Sequence, residues 1–169
     1  LSDLAGQLLY TISSANDHGF HHLFLPDADI GSSFVLSAAQ QRIHSCTRLY
    51  QEERYKEAAA ILSGLIGLGI GLTPSGDDFL CGVLAGLTIS MCQDHPFALA
   101  LQDEIHSRLS DTNDISRAFL SCALEGQFSQ PVVQLSSMVS PEEISREFAR
   151  IGHSSGMDTL SGIYYILSL

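Results

Sequence analysis

Apolar residues recur at helical spacing along nearly the whole chain. Leu1, Leu4, Leu8 and Ile12 fall on one face of a first helix, and Tyr55, Ala58, Ala59, Leu62, Leu65 and Ile66 follow the i, i+3, i+4, i+7 rule. Ile115, Ala118, Phe119 and Cys122 form a further stripe, with Gly126 as its terminator. Ser140-Pro141-Glu142-Glu143 combines a capping Ser, Pro at the first helical position and Glu three residues after the cap. The helix it opens turns Ile144, Phe148 and Ile151 inward. The charge-free run Phe79 to Gln93 suits a helix buried on all sides. Strand-like alternation is nearly absent, and only Phe24 to Val35 leaves room for a short strand. The pattern predicts a mainly α protein, a compact bundle of about seven helices, with residues 1–169 forming a single domain.

Composition sharpens this picture. Of 169 residues, 45% are hydrophobic and 16% charged, which excludes a disordered chain. Eight Lys and Arg against 19 Asp and Glu leave a net charge of −11. That balance argues against nucleic acid and anionic membrane as partners, because both are bound through basic patches. Cys46, Cys81, Cys92 and Cys122 form no Cys-x-x-Cys pair and sit among apolar residues, which reads as buried free thiols. No apolar run of 18 residues and no leader-like opening occurs, so the expected location is cytoplasmic. Opening at Leu1, the chain reads as the C-terminal part of a longer one. The histidines show no metal-ligand spacing, and His21-His22 reads as a solvated loop pair. No metal ligand set is assigned.

One motif occurs twice. Ser75-Gly76-Asp77-Asp78-Phe79-Leu80-Cys81-Gly82 and Ser155-Gly156-Met157-Asp158-Thr159-Leu160-Ser161-Gly162 share S-G-x-D-x-L-x-G at an offset of about half the chain. Each copy lies where a Gly/Ser segment gives way to an apolar helix. A pseudo-two-fold pair of Gly/Ser/Asp helix starts, facing each other, would account for the repeat. The first copy follows Gly67-x-Gly69-x-Gly71-Leu72-Thr73-Pro74. Alternating glycines can bring backbone N–H groups close to a ligand, and a helix start offers unpaired donors and a positive dipole end. Together they suit a phosphate or carboxylate.

Capping competes with this reading. Ser75 with Asp78, and Ser155 with Asp158, each match a capping box. Capping leaves Asp77 and the upstream glycines unexplained. The candidate catalytic residues are therefore Asp77, Asp78, His153 and Asp158, with His153 a general acid or base on a Gly/Ser turn. Gly69, Gly71, Thr73, Ser75, Gly76, Ser154, Ser155 and Gly156 are the candidate substrate-binding residues. Thr112-Asn113-Asp114 reads as an ordinary capped helix start.

The two glycine and aspartate motifs, with Ile115 to Phe128 between them, resemble the signatures of the AllH-type family over about residues 55 to 169. The resemblance implies one subunit of a multi-subunit oxamate carbamoyltransferase of allantoin degradation. Such a complex interconverts oxalurate and phosphate with oxamate and carbamoyl phosphate. The resemblance thus implies a small anionic substrate and partner subunits. Three carboxylates and no Arg cluster beside an anion call for Mg²⁺ or for cations from elsewhere. The alternatives are a non-catalytic assembly subunit and an Mg²⁺-dependent helical hydrolase built on Asp77, Asp78 and Asp158.

Overall fold

The computed structural model describes residues 2–15, 19–25, 30–31, 33–152 and 154–169. The described residues are mainly helical and contain no strand, so no strand is seen in the described part of Phe24 to Val35. The helices are α1 (Ser2–Ser13), α2 (Phe34–Gln51), α3 (Tyr55–Ser63), α4 (Ser75–Ile89), α5 (Pro96–Ser107), α6 (Asp114–Leu124), α7 (Gln130–Gln134), α8 (Pro141–Phe148) and α9 (Ser155–Ser168). A 3-10 turn at Phe20–Phe24 follows α1. The nine among the described residues exceed the expected seven or so, partly because five-residue α7 is too short for a periodic signature.

Side-chain caps start several helices, those at Asn113 and Ser140 as the sequence suggests. Ser33 caps α2 by accepting from the Leu36 N–H, and Asn113 caps α6 by accepting from Ile115 and Ser116. Ser140 accepts from the Glu143 N–H while the Glu143 carboxylate reaches back to the Val139 N–H. The two repeat copies depart from expectation. Pro74 and Ser154 hold the N-cap positions of α4 and α9 without a side-chain cap, so Ser75 and Ser155 are the first helical residues. The capping-box reading of both copies is therefore corrected.

Two apolar clusters form the core. One gathers side chains of α2 to α6, and the other those of α1 and α7 to α9. Between them α4 packs along α9, the most extensive pairing among the described elements. Gly82 and Gly162 make this possible. A Cβ at Gly82 would collide with the Thr159 carbonyl oxygen, and one at Gly162 with the Phe79 carbonyl oxygen. Phe79 and Thr159 are themselves equivalent positions of the repeat, so the crossing obeys a local two-fold in the register of the motif.

Three other expectations are corrected. On α6 the buried residues are Ser116, Leu120 and Ala123, while Ile115, Ala118, Phe119 and Cys122 face outward. Periodicity marks a stripe, but not which stripe meets the core. His21 is fully buried, held in the 3-10 turn whose Phe20 ring lies 5.8 Å from that of Phe79. All four cysteines are free, yet only Cys46 is buried, and Cys92 and Cys122 are exposed.

Gly82→Ala or Gly162→Ala should therefore lower stability by about 2 kcal/mol or more, since the α4 and α9 backbones must separate to admit a methyl group. Gly6→Ala on α1, where no heavy atom lies within 4 Å of an added Cβ, should instead raise stability by up to about 1 kcal/mol. Thermal unfolding of the three variants measures both effects. Equal stability of all three would show that the crossing is not tight.

Candidate functional site

The α4 and α9 starts lie side by side. The Thr73 and Ser155 hydroxyl oxygens are 2.9 Å apart, joining the segment before α4 to the first residue of α9. Both line a cavity of about 360 Å³ together with Asp78, Cys81 and Thr159. Its remaining walls come from α6 (Phe119, Cys122, Ala123), from Gln127 to Ser129, and from Val132 and Ile151. The polar groups of the two helix starts thus form one pole, and mainly apolar side chains enclose the rest. No Lys, Arg or His occurs among the described residues that line it.

Asp78 is the charged residue of this lining. It is 8% exposed, and its Oδ2 is buried without a hydrogen-bond partner. Burial pushes its pKa up from 3.8 to about 6. The nearby Ser155 and Thr73 hydroxyls offset part of that rise, and the neighbouring Asp77 adds to it. Buried polar atoms are nearly always satisfied, so this oxygen is exceptional and makes Asp78 the candidate carboxylate of the site. Cys81, half-buried on the next turn of α4, has its thiol pushed up by burial and by Asp78.

The other expected residues part company with Asp78. Asp77 is 2% exposed. One of its oxygens accepts from the Gly67 N–H at 2.8 Å and the other from the Thr112 hydroxyl at 2.6 Å. The acid that capping left unexplained thus ties the glycine turn to the α6 start. Asp158, the counterpart of Asp78, is fully buried and accepts from the Phe20 N–H at 2.6 Å, holding the 3-10 turn. Gly76 and Gly156 pack against the Leu65 and Phe148 carbonyl oxygens, with which any Cβ would collide.

Gly69 has φ +139°, and a Cβ there would meet the Ser75 amide nitrogen at 2.6 Å. The turn thus lies over the first amide of α4. Gly71 also has a positive φ but faces open space. Ser75 and Ser154 stand at the two helix starts, half-buried, outside the cavity lining. His153 lies outside the described residues. Among the described residues no group of three His, Cys, Asp or Glu side chains gathers as metal ligands. The trio proposed for a metal-dependent hydrolase is thus not assembled as a cluster there.

Sequence reasoning missed Thr112 as the Asp77 partner, and missed Cys81, Gln127, Ser129 and Val132 in the cavity wall. The outward apolar stripe of α6, which contributes Phe119 and Cys122, was the available signal for that wall.

Comparison with known proteins follows from the same region. A family model described as oxamate carbamoyltransferase subunit AllH matches residues 65–167, about three-fifths of the chain, including both motif copies. No curated protein and no solved structure matches the chain.

Two stability measurements separate the aspartates. Asp77→Ala should cost about 2–4 kcal/mol, because it leaves the Gly67 N–H and the Thr112 hydroxyl without their acceptor. Asp78→Asn should behave in the opposite sense. The folded carboxyl holds its proton up to about pH 6 against 3.8 for the ordinary group. The stability tied to that proton is intact below about pH 4 and is lost as the pH rises through 6. Asparagine carries no such loss, so the variant should match the wild type near pH 4. It should exceed it by on the order of 3 kcal/mol above pH 7. Denaturant unfolding across pH 4 to 8 checks this. A difference independent of pH would refute the buried, unpaired carboxylate.

Proposed function

The chain belongs to the AllH family of oxamate carbamoyltransferase subunits. From that premise we propose that its cavity serves carbamoyl transfer involving a small anion of the oxamate and carbamoyl phosphate kind. The observation that carries the reading is Asp78, buried, with an unpartnered oxygen in the cavity wall. In the direction from carbamoyl phosphate, the amide nitrogen of oxamate attacks the carbamoyl carbon. A C–N bond forms, the C–O bond to phosphate breaks, and phosphate leaves with the electron pair. The nitrogen loses a proton, and Asp78 accepts it. A carboxylate whose pKa is raised toward 6 is a stronger base than an ordinary one while still ionised at neutral pH.

The Thr73 and Ser155 hydroxyls, joined to each other, orient Asp78. The starts of α4 and α9 bring the positive ends of two helix dipoles to the same pole. The phosphate still needs cations, and none of the described lining residues carries one. They come from a partner subunit in this reading. The surface such a partner would cover is apolar: Ile115 and Phe119 on α6, and Ile70 and Leu72 just before Thr73, are exposed.

A second reading, an assembly subunit without catalytic groups, is favoured by Asp77 and Asp158. Both have hydrogen bonds inside the fold, to the glycine turn and to the 3-10 turn. Asp78 separates the two. In the assembled transferase, Asp78→Asn should lower kcat for oxalurate phosphorolysis and for its reversal by about a hundredfold or more. Wild-type activity should rise through about pH 6 and level off above it. Full activity of the Asp78→Asn complex would assign the subunit to assembly.

A further inference from the structure

Most hydroxyl protons in the cavity wall are already committed. The Thr73 and Ser155 hydroxyls stand 2.9 Å apart, so one donates to the other, and the remaining proton is drawn to Asp78. Thr159 donates its own to the Ser155 carbonyl oxygen at 2.8 Å. The Cys81 and Cys122 thiols are weak donors. Gln127 and Ser129 are different. Both line the cavity, and their side chains make no hydrogen bond among the described residues. Ser129 does not even cap α7, although it holds the N-cap position.

The backbone that carries Gln127 is fixed on both sides. Gly126, with φ +74°, ends α6: its N–H donates to the Ala123 carbonyl oxygen, and the Gln127 N–H donates to that of Cys122 at 2.8 Å. This pair of bonds closes a left-handed helix ending of the kind that favours glycine. On the other side, the half-buried Phe128 packs against both apolar clusters. An exposed side chain therefore stands on a held backbone at the cavity wall. An amide presented in this way loses little further freedom when it meets a ligand.

Charge decides what these donors meet. Asp78 is ionised at neutral pH. An acceptor of the oxamate kind, with a nitrogen at one end and a carboxylate at the other, therefore turns its nitrogen to Asp78 and its carboxylate away. A neutral amide and a hydroxyl give that carboxylate hydrogen bonds strengthened by its charge. They do not supply the cations that a phosphate needs.

We propose that Gln127, with Ser129 two residues on, determines the specificity for the carbamoyl acceptor. The Gln127 amide and the Ser129 hydroxyl donate to the acceptor's carboxylate, while Asp78 takes the proton from the nitrogen at its other end. This deepens the reading of Asp78 given above and rests on it.

Steady-state kinetics of the assembled transferase in both directions test the assignment. Gln127 is exposed, so its variants should remain folded. Gln127→Leu should raise KM for oxamate and for oxalurate at least tenfold, as expected for losing a hydrogen bond to a charged group. Gln127→Glu should raise it further, because it sets a carboxylate against a carboxylate. In both variants kcat, and KM for carbamoyl phosphate and phosphate, should stay within about threefold of the wild type. The rise of activity through about pH 6 should persist. The wild type should also prefer oxamate to its neutral ethyl ester at least tenfold in kcat/KM, and Gln127→Leu should lose most of that preference. An unchanged KM for oxamate in both variants, an equal rise for phosphate, or a preference retained by Gln127→Leu would overturn the proposal. Failure of the underlying reading is separate. It shows as unchanged transfer by the Asp78→Asn complex, whereas unchanged Gln127 variants beside an impaired Asp78→Asn complex remove only the Gln127 contact.

Discussion

The close approach of α4 and α9 at Gly82 and Gly162 governs the rest of the molecule. Each glycine lets its helix lie against a backbone carbonyl of the other, at Thr159 and Phe79. Side chains larger than hydrogen there would push the helices apart and open the seam between the two apolar clusters. The same approach brings Thr73 to Ser155 and seats Asp78 beside them. Geometry at the helix starts is thus inherited from a contact two turns further along. The polar pole of the cavity exists because two small residues hold two helices together below it.

Three aspartates that look alike in sequence do different work in space. Asp77 joins the glycine turn to the start of α6 through the Gly67 N–H and the Thr112 hydroxyl. Asp158 accepts from the peptide of Phe20 and secures the 3-10 turn. Asp78 bears the cost of burial with one oxygen unpartnered, and its pKa rises accordingly. A stabilising and an unfavourable carboxylate thus stand one residue apart in one helix turn.

Much of the fold was legible because helical periodicity is a local signal. Leu8 and Ile12 on α1, Ala58, Ala59 and Leu62 on α3, Ile144 and Phe148 on α8, the Ser140 cap and the Gly126 terminator stand where spacing placed them, while Leu1 lies outside the described residues. The repeat disclosed the pairing of α4 and α9, since a shared motif at half-chain offset calls for a two-fold relation. What stayed hidden depends on partners distant in sequence. The inward face of α6 is polar or small at Ser116 and Ala123 because the neighbouring helices leave little space, and its larger apolar residues look outward. Asp77 had no visible role because Thr112 lies 35 residues away. His21 is buried in a turn whose Phe20 N–H bonds Asp158, across 138 residues, and no local pattern announces that bond. The cavity was hidden for the same reason, since its walls come from segments widely separated along the chain.

The two-fold relation of the helix starts carries a consequence for stoichiometry. A recess generated between matching halves would ordinarily come in duplicate, one beside each equivalent carboxylate. Here the chain breaks its own symmetry: Asp158 is met by the peptide of Phe20, while Asp78 is left to a recess. The segment that opens at Gly19 lies against the second carboxylate. A ligand that met Asp78 would therefore have no second, equivalent place at Asp158, where the polypeptide itself supplies the donor.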